Sequence, residues 1–205
     1  DGKRDENLKD VLDKIYRQIT SFPAPERFLE EARMGLQIDT AEDLNHAPWM
    51  QAMLDILHKK AAAAVQLAER CLVICEEPDG PNQYREQIES DIEKLQAIGQ
   101  ADSYAAMKGA IESKWATLSR KKFTGDKELQ EACKTLRKEY KDEFDSKKLD
   151  SFKQSEAQIL EDMQLLKTYL LPLLSLTEEF MTRFMEEKQK RKMLEFSDIS
   201  HMAYQ

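Results

Sequence analysis

The residues of this chain best placed to do chemistry are four cations in one short stretch: Arg120, Lys121 and Lys122, with Lys127 just beyond Thr124 and Gly125. Clustered basic side chains on a loop can meet phosphate oxygens, and contacts of that kind release counterions and hold a polyanion without reading its sequence. The same cations would also suit the C-terminal end of a helix, where the helix dipole alone favours positive charge. The region around them is unusual for this chain. Residues 108–148 hold 12 Lys and Arg against 8 Asp and Glu, a net of +4, whereas the whole chain carries −8. The remaining acidity argues against nucleic-acid binding over the whole surface.

Other chemistry is poorly supported. Cys71 and Cys75 stand four apart and could supply two zinc ligands, but no second ligand pair lies nearby. Two small core residues on a helix are the simpler reading. His46, Trp49 and His58 have no partner pattern, and His46, close to Pro48, reads as a capping or surface residue. The chain has no GxxxxGK[ST] phosphate loop, no GxSxG and no HExxH. No catalytic constellation and no metal site emerge from these residues.

The elements that must position the cations read as helices. Charged residues make up 34% and apolar residues 41%, with 6 Gly and 6 Pro, a composition of long, charge-laced helices. Apolar residues recur three and four apart over residues 4–20, and a new helix opens at Pro25 after the breaker Phe22-Pro23-Ala24-Pro25. Residues 37–46 read as a loop. One long helix is expected over about residues 48–77, carrying Trp49, Met53, Ile56, Leu57, Ala64, Leu67, Cys71 and Cys75 on its stripe. A turn at Glu77-Pro78-Asp79-Gly80-Pro81 follows. Tyr84 to Ile98 form the next stripe, and Tyr104, Met107, Ile111, Trp115 and Leu118 another, which puts Arg120 at a helix end. Leu129 to Phe144 and Phe152 to Leu171 carry two more. Pro172 should kink or end the second of these, with a last full helix after it. The fold class is therefore all-α, an irregular helical bundle with one long helix. Three Cys without regular spacing imply no disulfide framework and fit a reducing cytoplasm. The longest apolar run, residues 169–174, is far short of the roughly 20 residues a membrane span needs. The first residues hold neither Met nor an apolar signal core, and the last stretch opens a helix at Ser197 or Asp198 that stops at Gln205. A piece of a longer polypeptide is the expectation.

That last stretch carries a resemblance. Leu194-Glu195-Phe196-Ser197-Asp198-Ile199-Ser200 resembles the "LDFSDL" segment of UvrD-like, superfamily 1 DNA helicases, where a helical insertion returns to the first RecA-like motor domain. Leu194, Phe196, Ser197 and Asp198 keep the pattern, with Glu195 in place of Asp and Ser200 in place of the commoner Glu. Further segments agree in the same order with the AddA/RexA branch, the large subunit of a helicase–nuclease. Residues 8–29 are similar to its "L..I..LY.F..S.P.PE.WL" stretch, with Phe28 where Trp is usual. Glu76-Glu77-Pro78-Asp79-Gly80-Pro81 is similar to its "aEEPgGP" turn, and Trp115 with Arg120, Lys121 and Lys122 to its basic stretch.

The resemblance implies that residues 1–195 are the accessory helical subdomain called 1B and that residues 196–205 begin the return into the motor domain. It implies a parent that is an ATP-dependent DNA helicase and nuclease of double-strand-break repair, using ATP and Mg²⁺, with an AddB/RexB-type second subunit. The segment itself would hold no cofactor and have no catalytic activity. It would lie against duplex DNA and guide it, through phosphate contacts from Arg120, Lys121, Lys122 and Lys127. The competing expectation is a helical protein–protein interaction or scaffold module that never touches DNA. A broad apolar patch would favour the second, and an exposed basic cluster the first.

Overall fold

A computed structural model describes residues 2–194. The regular elements among them are α1 (Gly2–Ile19), α2 (Pro25–Gly35), α3 (Ala41–His46), α4 (Pro48–Glu76), α5 (Arg85–Gln100), α6 (Tyr104–Glu112), α7 (Lys127–Glu143) and α8 (Glu156–Arg191), with 3-10 turns at Asn82–Tyr84 and Asp150–Phe152. No strand occurs among the described residues, and the all-α class holds. Phe196, Ser197 and Asp198 of the return motif, and the helix expected over residues 197–205, lie outside the described residues. Leu194 is exposed.

Two compact units divide the chain: residues 1–39 with 160–205, and residues 40–159. In the second, α4 is the spine. Its 29 residues bury Met50, Leu54, Leu57, Ala61, Ala64, Ala68, Cys71 and Cys75. The spacing alternates four and three, the repeat that keeps one seam facing a neighbouring helix. Helix α5 answers with Ile88, Asp91, Leu95 and Ile98. The small alanines allow close approach: a Cβ on Gly99 of α5 would sit 3.7 Å from that of Ala61. The expected stripe is partly displaced. Trp49 and Ile56 are exposed, while Met50 and Leu54 are buried. The run Ala61-Ala62-Ala63-Ala64 is apolar all round, so it could not mark which face was inward.

Three other expectations are corrected. Residues 37–46 are not all loop, because Thr40 and Asp43 form a capping box that opens α3: the Asp43 N–H donates to Thr40 Oγ1 at 3.1 Å, and the Thr40 N–H donates to Asp43 Oδ2 at 2.9 Å. Helix α6 stops at Glu112, so Trp115 and Leu118 lie in an irregular segment, residues 113–126. Pro172 does not end its helix, for α8 runs through it for 36 residues. The proline forfeits one backbone bond. Its neighbours Leu170, Leu173 and Leu174 are held with Ile15, Ile19 and Phe28 around one apolar groove, which keeps the helix together on both sides.

That groove belongs to the first unit, made of α1, α2 and most of α8. Tyr16 sits edge-on to Phe180 and Phe184, with ring centroids 5.4 and 5.3 Å away. Arg33 pairs with Glu178 at 2.6 Å, and Lys167 with Asp39 at 2.8 Å. Leu8, Val11, Phe22, Leu165, Leu166 and Tyr169 of this unit remain exposed.

Candidate nucleic-acid interface

Arg120, Lys121 and Lys122 lie on the irregular segment, and Lys127 is the first residue of α7; all four are exposed. None makes a side-chain hydrogen bond or ion pair with another described residue. Their placement removes the helix-end explanation. Arg120 is well past the end of α6, beyond the last turn over which the dipole acts, and Lys127 is at the N-terminal end of α7, where the dipole disfavours a cation.

The segment that carries the cations is fastened at both ends. At its start, Lys94 of α5 takes up the free carbonyls at the end of α6. Its ammonium donates to the Ile111 carbonyl at 2.8 Å, to the Ser113 carbonyl and to Ser113 Oγ at 3.1 Å. The same ammonium lies 4.6 Å from the Trp115 ring centroid, and Lys141 lies 5.6 Å from it on α7. Arg137 of α7 then donates to the Ala116 carbonyl at 2.5 Å. Arg137 is held in turn by Asp91 through two hydrogen bonds of 2.6 and 3.1 Å, and Tyr140 donates to the same carboxylate at 2.7 Å. A buried Arg–carboxylate pair of this bidentate kind fixes the direction of both groups.

At the other end, the turn after α4 receives the segment. The Asp126 N–H donates to the Asp79 carbonyl at 2.8 Å, and Asp79 has a φ of 62°. Gly125 is pressed against this turn: a Cβ there would lie 2.2 Å from the Asp79 oxygen. Asp126 then caps α7, accepting the Glu128 N–H at 2.7 Å. The basic stretch and the Glu76–Pro81 turn, far apart in sequence, are thus neighbours in the fold.

Burial shapes the electrostatics of this anchor. It pushes the Lys94 ammonium down to about 8, against the opposing pull of Asp91. Lys141 is lowered by burial and by the nearby Arg137. Tyr140 is raised, by burial first and then by Asp91. Positive charge is therefore crowded here, with Asp91 as its buried counter-charge.

The remaining candidates are structural. Cys71 and Cys75 are buried beside Cys133, with the Cys75 and Cys133 sulfurs 4.0 Å apart. Hydrogen bonding to Cys133, with burial, raises both of their thiols. No group of three or more His, Cys, Asp or Glu able to hold a metal occurs among the described residues. His46 is exposed, with Nδ1 2.8 Å from the Glu42 carbonyl, and His58 Nε2 lies 2.8 Å from the Ala101 carbonyl at the end of α5. Sequence reasoning missed Asp91, Lys94, Arg137 and Tyr140. Their signal was present: Asp91 and Lys94 interrupt the Ile88, Ile92 and Leu95 stripe with charge.

The described residues thus define an all-α module that presents an anchored, exposed basic loop. Comparison with known proteins gives the class a family context. Along 98% of its length the chain is 31% identical to the A subunit of the ATP-dependent helicase/nuclease of Lachnoclostridium phytofermentans. It is 27% identical over 99% of its length to the protein of that name from Natranaerobius thermophilus, and 25% over 98% to that from Desulforamulus reducens. The likeness read from the short motifs therefore extends over practically the whole chain. The chain spans only 15 to 17% of the length of these relatives. No protein-family model matches it.

Proposed function

We propose that this chain is a segment of the large subunit of an ATP-dependent DNA helicase/nuclease, and that its basic loop guides duplex DNA through phosphate contacts from Arg120, Lys121, Lys122 and Lys127. The carrying observation is a loop of exposed cations, without side-chain partners among the described residues, fastened at both ends by buried or close-packed groups. A rigid positive loop holds a backbone in register without base readout.

On this reading residues 1–195 are a 1B-like accessory subdomain, and residues 196–205 lead into the motor domain. The parent acts in the cytoplasm on broken DNA ends, with an AddB/RexB-type second subunit. ATP and Mg²⁺ serve the parent. The 205 residues contain no phosphate loop, and no catalytic step is assigned to them. No described helix is long and apolar enough to cross a membrane.

A second reading has its own support. The exposed Leu8, Val11, Phe22, Leu165, Leu166 and Tyr169 of the first unit are the kind of surface that another protein surface covers. The two readings concern different units and are separable. A photo-crosslinking residue in place of Lys121, in the full-length polypeptide, should label duplex DNA. Labelling of protein alone would favour the packing module.

A further inference from the structure

Helix α7 is electrically neutral in sum, with Lys127, Lys134, Arg137, Lys138 and Lys141 balanced by Glu128, Glu131, Glu139, Asp142 and Glu143. The two signs are nevertheless kept apart. At 3.6 residues per turn, Lys127, Lys134, Lys138 and Lys141 fall within an arc of about 60°. The five carboxylates fall on one side of that arc, and Arg137, which grips the loop at Ala116, falls on the other. Intrahelical pairing does not account for the arrangement. Lys134 and Lys138 are four apart and Lys138 and Lys141 three apart, spacings at which like charges repel. Lys134 pairs with Glu131 at 2.8 Å, at the border of the stripe with the acidic flank. Lys127 and Lys138 are exposed, and neither has a side-chain partner among the described residues.

The loop begins and ends on this helix. It is held at Ala116 by Arg137, on the other side of the lysine arc from the carboxylates, and it ends at Asp126, the N-cap of the same helix. Its two fixed ends are thus about 16 Å apart along the helix axis.

We propose that Lys127, Lys134 and Lys138 form a second row of phosphate contacts, continuous with Arg120, Lys121 and Lys122, and that the two rows together grip the backbone of a nucleic-acid duplex. The inference rests on the reading that the loop meets DNA. Aromatic side chains point to a duplex rather than a single strand. Proteins that hold single strands stack bases on open aromatic faces. Here Tyr140 and Tyr84 are buried, Trp115 lies against the ammonium groups of Lys94 and Lys141, and the half-buried Phe123 of the loop sets its ring edge against Gly125.

The test compares two variants of the full-length polypeptide that carries this chain: K134Q/K138Q and R120A/K121A/K122A. Affinity for a duplex of arbitrary sequence is measured against salt concentration, and helix content is checked by circular dichroism. The helix variant should flatten the slope of log affinity against log salt by about 1.8, at roughly 0.9 for each phosphate no longer neutralised. K134R/K138R should restore it. An unchanged slope in the helix variant beside a flattened one in the loop variant overturns the second row and leaves the loop reading standing. Unchanged slopes in both overturn both readings. An equal loss on a single-stranded oligonucleotide overturns the assignment to duplex.

Discussion

The backbone amide of Asp126 donates to the carbonyl of Asp79 at 2.8 Å, joining the end of the basic loop to the turn after α4. Gly125 makes the approach possible. A Cβ at that position would meet the Asp79 oxygen at 2.2 Å and the Phe123 ring at 2.7 Å, so Gly125→Ala must push the loop off the turn. Overpacking of this kind costs about 1–3 kcal/mol. Denaturant unfolding should show a loss in that range, with faster amide exchange at Asp126. A variant as stable and as protected as the parent would show that the turn does not fix the loop.

The other end of the loop depends on charge. Asp91 has a fully buried side chain and neutralises Arg137. Asp91→Asn leaves the guanidinium buried without its counter-charge, a change that typically costs about 3–5 kcal/mol. Replacing the whole buried set, as D91L/R137M/Y140F, should restore most of the stability, since the Tyr140 hydroxyl also donates to Asp91. It should still leave residues 113–126 exchanging faster, because the bond to the Ala116 carbonyl is gone. Stability and loop protection that recover together would separate the pair from the loop.

Lys94 gives the anchor a pH dependence. Its folded-state value lies near 8, below the ordinary 10.5, through burial that Asp91 partly offsets and Lys141 reinforces. Between those values the unfolded chain binds more protons than the folded one, so stability rises with pH through this window. Other groups titrate nearby: Cys71 and Cys75, raised by hydrogen bonding to Cys133 and by burial, and Tyr104 and Tyr140, raised mainly by burial, hold their protons in the folded state and lower stability as pH rises past about 9 and 10. The Lys94 part is therefore read as the difference between parent and Lys94→Met unfolding curves, which should change in favour of the parent between about pH 8 and 9.5. A difference that does not change with pH would place Lys94 in a wetter setting.

Much of this was legible in the sequence because helices announce themselves by period. The stripes of α1, α5 and α7 located those elements from apolar spacing alone, and the Pro and Gly of the turn after α4 marked where the chain reverses. The basic cluster was visible as composition. Its geometry was not. Trp115 and Leu118 continue the period of Tyr104, Met107 and Ile111, yet the helix stops at Glu112 because Lys94, distant in sequence, takes the carbonyls that another turn would have used. Pro172 misled in the opposite direction, since packing around Leu173 and Leu174 outweighs one missing backbone bond. Asp91 and Lys94 left a trace as charges that interrupt an apolar stripe, while Arg137 looked like an ordinary surface charge in a chain that is 34% charged. Only the fold shows them turned inward to hold the loop.

Phosphate contact by the basic loop is tested most directly by the salt dependence of duplex binding, measured on the full-length polypeptide with Arg120, Lys121 and Lys122 all changed to Ala. Removing one phosphate contact should flatten the slope of log affinity against log salt by roughly 0.7–0.9, so the triple variant should flatten it by about two to three units. The effect should be the same for unrelated duplex sequences, and helix content should be unchanged, since exposed substitutions usually shift stability by less than about 0.5 kcal/mol. A slope and an affinity equal to those of the parent would contradict phosphate contact by this loop and favour the protein-packing module.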